Sequence, residues 1–164
     1  MLNAFDTLKC SLMCSPGLGL PDYNLPFHMF ARQNCKTMAG VLTQEHGGKL
    51  CPCAFFSKVM PVPVQGMPAC LRTLAACAMM VELATPFTLG HHTVLHTIRD
   101  VVGLLRGIHT QHMSAQRLSG YEVLLLDPSL RIKYASHTAG PAPILNVLLG
   151  LKGTDQTNMT VSRY

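Results

Sequence analysis

The sequence predicts an α/β (α+β) domain, a mixed five-stranded sheet with flanking helices, and three observations carry that prediction. The runs "FHMFARQ", "TMAGVLTQE" and "LCPCAFFSK" follow one another across short polar turns, so they pair as antiparallel neighbours. A long apolar helical pattern, "ACLRTLAACAMMVELA" (Ala69–Ala84), separates them from the next strand, and such a crossover sets that strand parallel to one of the first three. The 164 residues, 48% apolar and 13% charged, suffice for one buried core and are too greasy for a disordered chain.

Each element follows from local pattern. Leu2, Phe5, Leu8 and Leu12 recur at helical spacing and predict an amphipathic helix over 2–14, stopped by the prolines and glycines of "SPGLGLPDYNLP". In "FHMFARQ" (Phe27–Gln33) Phe27, Met29 and Ala31 face one way and His28, Phe30 and Arg32 the other. "HGGK" is a turn, and Pro52 in the third strand calls for an edge position or a bulge. "VMPVPVQGMP" reads as a loop, with Pro68 in the first turn of the long helix, where it is tolerated. That helix presents a stripe of Leu71, Leu74, Ala75, Ala78 and Val81 to the core. "TVLHTI" is the fourth strand, Asp100 caps a helix over "VVGLLRGI", and Ser114 opens "AQRLSGYEVLLL", which ends at Asp127-Pro128. "RIKYAS" is the fifth strand, and the polar stretch from Gly150 is a tail. The domain expectation is thus 1–24 as helix and Pro/Gly lead-in, 25–149 as the folded domain, and 150–164 as tail. The order βββ-α-β-α-α-β is that of the ribonuclease H architecture.

Charge and cysteine usage narrow the class. The net charge is +5, and the 13 basic residues are scattered singly, with no run that would mark a nucleic-acid tail. The seven cysteines are odd in number, and Cys10, Cys14, Cys53, Cys70 and Cys77 sit in apolar surroundings, which suits reduced thiols inside a cell. Asp6 and Lys9 interrupt the first apolar segment and argue against a signal peptide. "LAACAMMVELA" is short for a membrane span and contains Glu82, so no membrane association is expected.

"LGLPDYNLPF", "AGVLTQEHGGKLCPCAFFSKVMPVPVQGMPACLRTLAA" and "YEVLLLD" resemble, in order from about Phe5 to about Leu145, the connection region of gammaretrovirus-type reverse transcriptases. The resemblance implies a ribonuclease H-like domain between thumb and ribonuclease H, one that helps form the channel for the duplex. The chain departs from the family in lacking tryptophan before "YEVLLLD" and in its frequent cysteine and methionine. Such drift fits an endogenous copy captured in a host gene.

A ribonuclease H holds two metal ions with four carboxylates. At the corresponding places stand Arg32 in the first strand, Arg72 early in the long helix, with Glu82 three turns too late, and Thr97 three residues before Asp100; the last helix offers no acid. The expectations are therefore no enzyme, no hydrolysis of RNA–DNA hybrid and no bound metal. Cys51-x-Cys53, His92 with His96 and His109 with His112 do not combine into a zinc set of four. "PGLGLPD" lacks the preceding strand and third glycine of a dinucleotide loop, and no local pattern marks a Cys or Ser nucleophile. Neither a cofactor nor a small-molecule substrate is expected. The partners expected are neighbouring domains of a larger polypeptide or another protein, with weak, non-specific nucleic-acid contact through Arg32, Lys36, Arg99 and Arg106.

Overall fold

The computed structural model describes residues 17–34, 36–107 and 113–134. The expected helix over 2–14, the tail from Gly150, His109 and His112, Cys10, Cys14 and the last two residues of "RIKYAS" lie outside the described residues.

The elements are β1 (Phe27–Gln33), β2 (Thr37–His46), β3 (Lys49–Val59), α1 (Val62–Gln65), α2 (Ala69–Thr88), β4 (Thr93–Thr97), α3 (Val101–Gly107), α4 (Ala115–Leu125) and β5 (Leu130–Tyr134). One sheet runs in the order β3-β2-β1-β4-β5, so β1 is central as expected. β1 pairs with β2, and β2 with β3, antiparallel; β4 runs parallel to β1, and β5 parallel to β4. This is the predicted mixed sheet. The β2–β3 hairpin turns on Gly47 (φ 58°) and Gly48 (φ 78°), a left-handed pair that only glycine adopts without cost. Pro52 satisfies both readings offered for it, because β3 is an edge strand and its register slips where Thr43 faces Pro52 and Leu42 faces Ala54.

Two elements differ from expectation. The segment after β3 holds a single helical turn, α1, which Pro61 and Pro63 pre-set and Gln65 ties back through Nε2 to the Met60 carbonyl at 2.7 Å. The long helix continues four residues past Ala84, through Pro86, to Thr88. A proline missing one N–H in the last turn still lets the chain continue, and Leu89 (φ 49°) closes the helix by donating its N–H to the Thr85 carbonyl. At 20 residues α2 is long and apolar enough to cross a membrane by length and composition, unlike the shorter run read from sequence. Half of it is buried inside this fold.

α2 packs on β1, β2 and β4, and α3 and α4 pack on α2. The core between them holds Phe27, Met29, Leu42, Leu74, Met80 and Leu95. Methionine supplies much of it: Met29, Met38, Met60, Met67, Met80 and Met113 are all buried, since an unbranched thioether fills irregular gaps. Gly40 on β2 permits this, because a Cβ there would meet Met29 Cε at 2.5 Å and Met80 Sδ at 3.1 Å. The described cysteines, Cys51, Cys53, Cys70 and Cys77, are free thiols, and burial pushes Cys77 up to about 12.

Candidate functional site

β1, β4 and β5 run parallel, so their C-terminal ends form one rim of the sheet. The crossover brings the start of α2 to the same rim, where Gln33 Nε2 donates to Thr73 Oγ1 at 3.5 Å. Open parallel sheets bind ligands at such strand ends. Here a cleft of about 630 Å³ is lined by Cys70, Ile98, Arg99, Asp100, Gly103, Leu104 and Tyr134.

Of the four basic residues singled out from the sequence, Arg99 lines this cleft. Arg32, at the end of β1, is half-buried, and burial lowers its pKa from the usual guanidinium value. Lys36 is exposed in the β1–β2 turn, where its carbonyl accepts from Met60 N–H at 2.8 Å. Arg106 is exposed on the last turn of α3 and does not line the cleft. Arg72 caps the turn before α2, with Nη1 donating to the Met67 carbonyl at 3.0 Å. Asp100 accepts the Gly103 N–H at 2.9 Å, the helix-capping role expected of it. Among the described residues no group of three or more His, Cys, Asp or Glu side chains is placed to hold a metal ion.

Sequence reasoning missed Tyr134, exposed at the cleft, and the exposed Arg131 and Lys133 on β5. The signal was present in the alternation of "LRIKY", which sends Arg131 and Lys133 to one face. It also missed the partner of His96. His92 is exposed before β4, whereas His96 meets His28 across the β1–β4 pair, Nδ1 of His28 lying 3.0 Å from Nε2 of His96. Phe30 stacks on the His96 ring with centroids 4.4 Å apart. Burial pushes both imidazoles below the ordinary histidine value, His96 to about 4, with Lys133 adding to the effect on each and Glu45 opposing it at His28.

A family profile described as the RNase H-like domain found in reverse transcriptase matches residues 1–95. The chain belongs to that family. The Gag-Pol polyprotein of Feline leukemia virus is 38% identical over 124 residues, covering 76% of this chain and 7% of the polyprotein. The Pol polyprotein of Feline endogenous virus ECE1 is 36% identical over 144 residues, covering 87% of this chain and 14% of the polyprotein. This RNase H-like domain thus spans a small part of its curated relatives. Solved structures agree on the fold. A foamy viral protease-reverse transcriptase in complex with double-stranded DNA superimposes with a TM-score of 0.66 at 15% identity, covering 83% of this chain and 24% of that one. The same viral protein with an RNA/DNA hybrid gives 0.64 at 16% identity, covering 97% and 20%.

Membership corrects one expectation. The lack of carboxylates at four positions leads to the expectation of no enzyme, yet the relatives are Pol polyproteins and the family is a domain of reverse transcriptases, which are enzymes. Matching strand ends by pattern tests where acids stand in one arrangement of the fold, and it does not show that this chain lost catalytic residues.

Proposed function

We propose that this RNase H-like domain packs against and positions neighbouring domains within a longer Pol-type polypeptide, as a connection region does between thumb and ribonuclease H. The observation that carries the reading is an apolar strip along the β3 edge. Gly19 N–H donates to the Pro52 carbonyl at 2.8 Å, which lays Leu18 and Leu20 beside β3. Leu20 is 89% and Val62 78% exposed, with Leu18, Leu50, Phe55 and Val59 exposed nearby in the chain or on the strand. An apolar surface of this kind is what a neighbouring domain covers. The small share of each polyprotein that the chain spans supports the same reading. The test is cross-linking mass spectrometry on the parent polypeptide with and without L20E and V62E together. Cross-links from this strip to a flanking domain should disappear in the double variant, while the melting temperature of the domain alone stays within a few degrees. Cross-links that never involve the strip would overturn the reading.

A second reading, weak nucleic-acid contact, is favoured by the strand-end cleft, where Arg99 and the exposed Tyr134 share a rim with Arg32 and Lys36. Singly spaced cations predict dissociation constants of about 10⁻⁴–10⁻⁶ M at physiological salt. Fluorescence anisotropy with duplex, hybrid and single strands across a salt series measures this. Affinity that collapses with salt but ignores R99A and Y134A would remove the cleft from consideration. As to origin, the absence of tryptophan and the abundance of cysteine and methionine support capture of an endogenous copy in a host gene. The candidate parent is a host protein joining an NYN ribonuclease domain to retroviral integrase sequence, and sequencing the full transcript tests it.

A further inference from the structure

At the rim opposite the strand-end cleft, where β4 begins at Thr93 and β5 at Leu130, the fold leaves a cavity of about 200 Å³. Its floor is apolar, formed by Met29 and Leu130 of the sheet, Ala84 of α2 and Leu124 of α4. An apolar cavity of about 150 Å³ holds a benzene ring, so this one accommodates an organic group of about eight non-hydrogen atoms. The hydroxyls around that floor have no proton to offer a ligand. Thr85 donates to the Val81 carbonyl at 3.0 Å, Thr88 to the Thr85 carbonyl at 3.4 Å, and Thr93 to the His91 carbonyl at 3.0 Å. Ser129 gives both its hydroxyl proton and, at 2.7 Å, its N–H to Oδ1 of Asp127. Asp127 Oδ2 is left without a donor among the described residues.

Charge at this corner is negative although the chain as a whole carries +5. The hydrogen bonds from Ser129, side chain first and backbone second, hold the Asp127 carboxyl below its usual range, so it is ionised at neutral pH. The last turns of α2 and α4 both reach the cavity, one through Thr85 and Thr88 and the other through Val123 and Leu124. Neither last turn holds a basic residue, so both helices present the negative end of their dipole uncompensated. We propose that the cavity binds a small hydrophobic primary amine, with its apolar body on the Met29–Leu124 floor and its ammonium at Asp127 Oδ2 and the helix ends. The ammonium supplies the hydrogen-bond donors that the committed hydroxyls cannot, and a carboxylate accepts such donors more strongly than a neutral oxygen does. An anion of the same shape is repelled by the same groups. A neutral molecule of that shape gains the floor without the charge.

Benzylamine titrated into the full chain at pH 7.5, followed by amide nuclear magnetic resonance, tests this. Saturable shifts are expected at Thr88, Asp127 and Ser129, with a dissociation constant below about 1 mM. Benzyl alcohol should bind at least about tenfold more weakly, and benzoate and ammonium chloride should give no saturable shift. D127N keeps the oxygen that accepts from Ser129, and should weaken benzylamine at least about fivefold while leaving benzyl alcohol unchanged. The ligand series runs on the unaltered protein, so it decides the matter even where the variant fails to fold. Benzyl alcohol binding as tightly as benzylamine, shifts that never saturate, or shifts that begin at Arg99 and Tyr134 would overturn the proposal.

Discussion

The two faces of the sheet are built on different chemistry. The front, under α2, is apolar and methionine-rich, with Met29, Met38, Leu42, Leu74, Met80 and Leu95 excluded from water. The back holds a small cluster of Phe30, Ala39 and Val41, bordered by His28, His96, Arg131 and Lys133. The front stores stability in buried area, which is indifferent to pH. The back stores polar groups whose protonation changes with conditions. Stability and chemical responsiveness are thereby separated by the thickness of one sheet.

The largest effect should come from the front. Leu74→Ala removes a fully buried side chain at the α2–sheet contact and should cost about 2–5 kcal/mol in urea unfolding. A loss below about 1 kcal/mol would show that methionine neighbours collapse into the space, which would weaken the contrast between the faces. Next comes Gln44, a fully buried polar side chain that pins the chain leading into β1. It accepts the Asp22 N–H at 2.8 Å through Oε1 and donates through Nε2 to the Asp22 carbonyl at 2.7 Å and the Leu25 carbonyl at 3.1 Å. Gln44→Leu leaves those groups unpaired and should cost about 1–3 kcal/mol, with hydrogen exchange rising first at Asp22 and Leu25.

The smallest effect belongs to the back face and depends on pH. His28 and His96 are both lowered from the usual histidine value of 6.5, His96 to about 4, so folding favours their neutral forms. Their contribution is fully present above about pH 6.5 and fades as pH falls toward 4, because the unfolded chain takes up protons first. After allowing for the exposed half of each ring, roughly 1 kcal/mol should be lost across that window. His96→Leu, which removes one titrating ring, should flatten the profile between pH 6.5 and 4. An unchanged profile in that variant would assign the acid sensitivity elsewhere.

The strand and helix order was legible in the sequence because it rests on local periodicity. Alternation in "FHMFARQ" set β1 to the residue, "HGGK" contained the two glycines a tight hairpin needs, and Pro52 marked an edge and a bulge. The extension of α2 through Pro86 was not legible, because a proline ends a helix by local rules while packing against the sheet carries the chain one turn further. The site was legible only in part. Arg99 reached the cleft, but Arg32 spends its length half-buried and Arg106 stands apart from the lining. The pairing of His28 with His96, 68 positions along the chain, had no local signal at all. Periodicity tells which face a residue takes within its own strand, whereas the lateral neighbour depends on strand order and register. Those were decided only when the crossover through α2 laid β4 parallel to β1 and the core closed over that arrangement.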